Sequence, residues 1–126
     1  MFRGVIQDQH GPDVFVTSVT GENVRVYPIP VWLELERKLS QMPANHPSRL
    51  KFLDRVNFFG QIGELDNQGR IALPPHLRES AAMVGEVRVL GRIDHIEVWN
   101  AERLAQKLLR ESWTDDDALR LSEHGI

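Results

Sequence analysis

Cysteine is absent from the 126 residues, which excludes disulfides, thiol nucleophiles and Cys-ligated zinc. Long apolar runs are missing too, and no stretch approaches the roughly 20 residues that a membrane-crossing helix needs. The opening Met1-Phe2-Arg3-Gly4-Val5 lacks the charged-then-apolar order of a secretory signal. Together these gaps predict a cytosolic protein without a membrane partner. The five histidines, His10, His46, His76, His95 and His124, show no short paired spacing. No metal site and no cofactor is therefore expected. No nucleophile stands near a base in the chain, which argues against a small hydrolase and leaves no catalytic residue or small-molecule substrate to assign.

An excess of positive charge is missing as well. The net charge of −3 weighs mildly against a nucleic-acid partner, since phosphate contacts need cations. Its distribution alters that reading. Residues 113–126 set Asp115, Asp116, Asp117 and Glu123 against Arg120 alone, so the whole excess sits in an acidic tail and residues 1–112 are neutral. A neutral body can bind DNA when its arginines converge on one face, and oligomers multiply a weak face. What the chain does have is an ordinary hydrophobic content of 41%, enough for one domain or two small fused units.

Two β-branched, aromatic-rich runs, Asp13 to Val19 and Asn23 to Ile29, flank Thr20-Gly21-Glu22 and predict a hairpin. From Pro30 the apolar spacing becomes helical through Trp32, Leu35 and Leu39, with Glu34 and Lys38 placed as an i, i+4 ion pair. Met42 to Pro47 breaks that helix, and a second runs from about Ser48 to Gly60. Gln61 to Leu65, the turn Asp66-Asn67-Gln68-Gly69, and Arg70 to Leu73 predict strand, tight turn and strand, with Gly69 at positive φ. Pro74-Pro75 opens a short helix to about Ala82. Glu86 to Arg92 and His95 to Trp99 form another hairpin around Ile93-Asp94, and Asn100 caps a helix carrying Leu104, Leu108 and Leu109. Thr114 with Asp117 has the form of a capping box for a tail helix, with disorder as the alternative.

The two halves of the chain repeat one another. Phe2-Arg3 matches Leu77-Arg78, Val14 to Thr17 matches Val87 to Leu90, and Val24 to Tyr27 matches Ile96 to Trp99. The helix from Pro30 matches the helix from Ala101. Nothing before Phe2 supplies a first-half counterpart of the Asp66 to Arg70 turn.

Over nearly all of residues 1–112 the sequence resembles the MraZ family. The resemblance is carried by Tyr27-Pro28-Ile29-Pro30-Val31-Trp32, by Phe58-Phe59-Gly60, by the run from Leu65 through Arg70 to Arg78, and by Ile96-Glu97-Val98-Trp99. It implies an α+β, β-rich AbrB-like swapped-hairpin barrel made of two tandem halves with flanking helices. It divides the chain into an incomplete first half (1–45), a connecting helix (46–60), a second half (61–112) and the acidic tail (113–126). It also implies a ring-like homo-oligomer, nucleoid-associated in the cytoplasm, that binds repeated double-stranded DNA sites upstream of the division and cell-wall operon. Two departures stand out. Asn67 occupies a position where relatives usually carry a basic residue, and the first turn is absent, with Phe2-Arg3-Gly4 aligned as the end of a short helix whose beginning is missing. The expected cause is a truncated chain or a start placed too far downstream.

The expected DNA-contacting set is Asp66, Asn67, Gln68, Gly69 and Arg70, with Arg78 and its first-half counterpart Arg3. A tight turn can push one guanidinium beyond the sheet, and arginine can grip guanine O6/N7 or a phosphate with two donors. Without the surrounding resemblance, the turn reads as an ordinary hairpin with a solvated arginine. Arg78 and Arg3 are either phosphate contacts or surface charges. Arg49, Lys51 and Arg55 make one helix basic, a pattern that a solvated face explains. Trp32, Trp99 and Tyr27 could stack on bases, but they sit at strand–helix junctions, where packing explains them better. Asp94, His95 and Glu97 are expected to be polar neighbours of a hairpin turn. The competing functions are a ring-forming interaction module whose DNA turn has decayed and an AbrB-type antitoxin.

Overall fold

The computed structural model describes residues 13–68 and 70–126; Arg3 and Gly69, both in the expected DNA-contacting set, lie outside the described residues. The described chain runs β1 (Asp13–Thr17), β2 (Val24–Pro28), α1 (Ile29–Ser40), α2 (Pro47–Phe59), β3 (Gln61–Glu64), α3 (Pro75–Ser80), β4 (Val87–Gly91), β5 (Ile96–Asn100), α4 (Ala101–Arg110) and α5 (Asp115–Ser122). The architecture is α+β. Its five strands form one antiparallel sheet in the order β3-β1-β2-β5-β4. Among the described residues the sheet is open, with β3 and β4 at its two edges.

The pairing registers have a two-fold pattern. Val24 faces Val98, Arg25 faces Glu97 and Val26 faces Ile96 across the central β2–β5 pair. Outside it, Val14, Phe15 and Val16 face Pro28, Tyr27 and Val26, while Val87, Arg88 and Val89 face Asn100, Trp99 and Val98. The local axis passes between Arg25 and Glu97. Alternation along the strands then sorts side chains onto two faces. On one face Val14, Val16, Val24 and Val26 pack under Phe59, Leu65, Leu77 and Ala81. On the other, Phe15 and Tyr27 pack with Trp32 and Val56. The Trp32 ring lies 4.4 Å from Phe15 and 5.1 Å from Tyr27, and Trp99 is buried as well. All three large aromatics at strand–helix junctions are thus packing residues.

Local signals account for the helix boundaries. Pro28 precedes α1 at the N-cap position. The Nδ1 of His46 accepts from the Ser48 amide at the start of α2, and the Asn100 side chain accepts from the Arg103 amide at the start of α4. Thr114 and Asp117 form a reciprocal capping box on α5, so the tail carries a helix rather than coil, although none of its residues is buried. Gly21, at φ 79°, turns β1 into β2. In α1, Glu34 pairs with Arg37 through two contacts of 2.6 and 2.9 Å, not with Lys38. The fork of the guanidinium matches both carboxylate oxygens.

One expected strand does not form. Arg70 to Leu73 forms no strand and joins no ladder, while β3 pairs with β1. Ile71 and Leu73 fold down onto the core instead, and Pro74 and Pro75 lack amide protons for a ladder.

Gly60 has a different role, since a Cβ at that position would overlap the Phe15 ring and the Val56 carbonyl oxygen. Gly60→Ala should therefore destabilise the fold by about 1–3 kcal/mol, the usual cost of overpacking. Urea denaturation reads this directly. A midpoint equal to that of the parent protein would contradict the close approach of α2 to β1.

Candidate nucleic-acid interface

The turn after β3 is organised by one carboxylate. Asp66 Oδ1 accepts from the backbone amides of Gln68 and Arg70, both at 2.8 Å, and the Asp66 amide donates to the Arg70 carbonyl at 3.1 Å. Asp66 Oδ2 accepts from Arg70 Nε at 2.8 Å. A single aspartate thus closes the turn and orients the guanidinium, the double use expected of Asp at a turn. The amide of Arg70, its side chain and the amide of Gln68 all hold the Asp66 carboxyl below the usual carboxylate range, the Arg70 amide most strongly. Asp66 therefore remains ionised at neutral pH.

Arg70 is held at Nε while its side chain remains 73% exposed. Among the described residues no acceptor meets its two outer nitrogens. Its outer edge keeps the two-donor geometry suited to a base edge or a phosphate. Asn67 and Gln68 are exposed at the tip.

Arg78 lies on α3 with its side chain exposed, and the surrounding packing fixes this short helix. Leu77 and Ala81 are fully buried in the core. The His76 ring nitrogen lies 2.8 Å from the Phe58 carbonyl, and the ring stacks on Phe59. Ser80 donates to the Gly21 carbonyl at 2.7 Å, and Arg103 donates to the Ser80 carbonyl at 2.8 Å. The fold therefore sets both expected arginine positions, Arg70 through its own turn and Arg78 through a helix pinned on two sides. The basic residues of α2 behave differently. Arg49 donates to the Met42 carbonyl at 2.7 Å and Arg55 to the Val19 carbonyl at 3.2 Å, so both support the loops beside them.

Glu97 is the residue whose importance the sequence pattern hid. It is buried at the centre of the sheet, where its Oε1 accepts from Trp99 Nε1 at 3.0 Å, Arg92 Nη2 at 3.0 Å and Asn23 Nδ2 at 3.3 Å. Arg25 Nε lies 3.7 Å from its Oε2. Burial alone pushes this carboxyl up, but the hydrogen bonds from Trp99 and Arg92 and the charges of Arg92 and Arg25 outweigh it and bring the group below its ordinary value. His95 stacks on Tyr27 with ring centroids 4.5 Å apart, and its Nδ1 lies 2.8 Å from Asp94 Oδ1. A signal was present in the sequence: Arg25 and Glu97 occupy matching places in the two halves with opposite charge.

Comparison with known proteins agrees with this architecture. Residues 61–122 match the family described as "MraZ protein, putative antitoxin-like". A protein of Acidobacterium capsulatum named Transcriptional regulator MraZ is 42% identical over 125 residues, covering 99% of this chain and 86% of the relative. Its namesake in Koribacter versatilis is 39% identical over 126 residues with the same two shares. In Herpetosiphon aurantiacus a third is 41% identical over 105 residues, 82% of this chain and 70% of the relative. With more than two thirds of such relatives covered at these identities, the chain belongs to the MraZ family.

Proposed function

We propose that this protein is a sequence-specific DNA-binding transcriptional regulator. The observation that carries the reading is the turn in which Asp66 anchors Arg70 at Nε and leaves the rest of the guanidinium free. That is the arrangement of a pre-organised reader, in which little side-chain entropy remains to be lost on contact. Relatives named transcriptional regulators support it. In this reading Arg70 reads a base edge, Asn67, Gln68 and Gly69 shape the approach, and Arg78 and Arg3 contact phosphates. The protein works in the cytoplasm, at the nucleoid, as a ring-like homo-oligomer of swapped-hairpin barrels, and its repeated subunits gain avidity on repeated promoter sites. Those sites lie upstream of the division and cell-wall operon. The halves correspond to 1–45 and 61–112, joined by 46–60, with 113–126 as a tail, and no residue is assigned a catalytic role.

Titration against the DNA upstream of its own operon, at several salt concentrations, tests this. The expected result is a specific complex whose affinity falls steeply as salt rises, through release of counterions from neutralised phosphates. Equal affinity for random DNA would favour the alternative, an interaction module with decayed DNA binding, which the net acidity and Asn67 suit.

A further inference from the structure

Two exposed surfaces of the chain are complementary to each other. The first is the outer face of α2, where Lys51, Arg55 and Phe58 follow at i, i+4 and i+7 and form one exposed stripe. Lys51 and Arg55 stand as a cationic ridge between two grooves, with Asp54 beside them. One groove, of about 440 Å³, has Val19 and Phe52 in its wall, and the other, of about 500 Å³, has Phe58 and Phe59. Phe58 is 66% exposed. The second surface is the tail. Trp113 is 69% exposed and Leu119 is 56% exposed, and between them lie Asp115, Asp116 and Asp117 in the first turn of α5. Asp117 is committed to the capping box, and Arg120 answers Asp116 at 3.4 Å and Glu123 at 2.9 Å. Asp115 meets no cation among the described residues. Acidic residues in a first turn suit the helix dipole, but the dipole gives no reason for a tryptophan and a leucine left in water on either side of them.

We propose that the tail of one copy docks on α2 of a second copy, with Asp115 and Asp116 against Lys51 and Arg55, and with Trp113 and Leu119 seated in the grooves on either side. The match is one of order as well as charge. Apolar, acidic, apolar on the donor meets apolar, basic, apolar on the acceptor. An amphipathic helix laid into an apolar groove is a recurring mode of recognition, and the ion pairs fix its register. A second copy is the occupant because the tail's own body does not cover it: no residue of α5 is buried, while every copy carries both the donor and the acceptor. Since the two surfaces differ, the contact is head-to-tail, the kind that closes into a ring when the rotation between copies permits. The inference rests on the self-association in the proposed function and names the contact behind it. It uses neither Arg70 nor its turn, so DNA recognition stands or falls separately.

Sedimentation velocity of the full chain, without DNA, tests the contact. The expected result is an assembly larger than a monomer that loosens as salt rises, since surface ion pairs are screened. Lys51→Glu should weaken association by more than about tenfold by setting like charges face to face, and Asp115→Lys should do the same from the other side. Combining the two should restore the assembly, which damage to the fold by either variant would not do. Trp113→Ser should weaken it as well, with Tm unchanged because the side chain is exposed. An assembly indifferent to Lys51→Glu and Trp113→Ser overturns the proposal and leaves self-association to another surface. A double variant no better than the singles overturns it too. A parent protein that stays monomeric removes the contact and the ring together. If Lys51→Glu lowers affinity for random DNA while the assembly is unchanged, α2 is a nucleic-acid contact and the proposal falls.

Discussion

Replacing Arg70 with alanine should lower affinity for the specific DNA site by about 1–3 kcal/mol, roughly 5- to 150-fold, the range for one bidentate base contact. The thermal midpoint should stay where it is, because the side chain is exposed and its sole hydrogen bond among the described residues is to Asp66 within its own turn. Arg70→Lys should recover little, since an ammonium lacks the planar two-donor edge. Lys38→Ala, at an exposed position of α1, removes the same formal charge away from the turn and should reduce affinity for specific and random DNA alike by a small amount. Parallel titrations of these variants at one salt concentration separate the outcomes. Equal losses for Arg70→Ala and Lys38→Ala would mean that only bulk charge matters. Asp66→Asn should fall between parent and Arg70→Ala, because an amide oxygen can still close the turn but no longer pairs a charge with Arg70 Nε. Since the Asp66 carboxyl titrates below the usual range, acidification through the ordinary aspartate pKa should leave the turn intact.

Glu97→Ala should be the most damaging single change to the fold. Truncation leaves Arg25, Arg92 and the Trp99 N–H facing a void at the centre of the sheet. Removing one partner of a buried charge cluster costs about 3–5 kcal/mol, and the partial exposure of Arg25 and Arg92 places this case toward the lower end. Glu97→Gln keeps an acceptor for Trp99 but loses the charge, so its loss should be smaller and its pH dependence different. The folded-state pKa of Glu97 is depressed. Its contribution is therefore fully present above the ordinary glutamate pKa of about 4.3 and disappears as pH falls through the lower folded value. Urea denaturation from pH 7 down to pH 3 should show the parent losing stability more steeply across that acid window than Glu97→Gln. Parallel curves for the two proteins would refute the electrostatic account of this cluster.

The expected hairpins, the five-residue turn and the two expected polar helix caps were legible because their causes are local. Thr114 and Asp117 are three residues apart, Asn100 caps a helix that starts at the next residue, and Asp66 holds Arg70 from four positions away. Short polar side chains bond nearby backbone wherever the chain is placed. The choice of Arg37 over Lys38 as the partner of Glu34 was less legible, since both lie within reach on one helix and only the fork geometry distinguishes them.

By itself the sequence determined the order of hairpins and helices, the family, and the carboxylate-anchored arginine at a turn, all of which depend on residues close together in the chain or on pattern. Three things waited for the tertiary structure. Arg70 to Leu73 was expected to pair as a strand and does not: Ile71 and Leu73 pack against the core while β3 pairs with β1, 45 to 51 residues earlier in sequence, and which neighbour a segment meets is decided by the whole fold. Glu97 looked like a polar residue beside a turn, and it became a buried hub only when β2 brought Arg25 against it from 72 positions away. Val16 and Val89 hold matching places in the two halves, yet one is 0% and the other 56% exposed, since burial is decided by what packs over a face, which no local preference encodes.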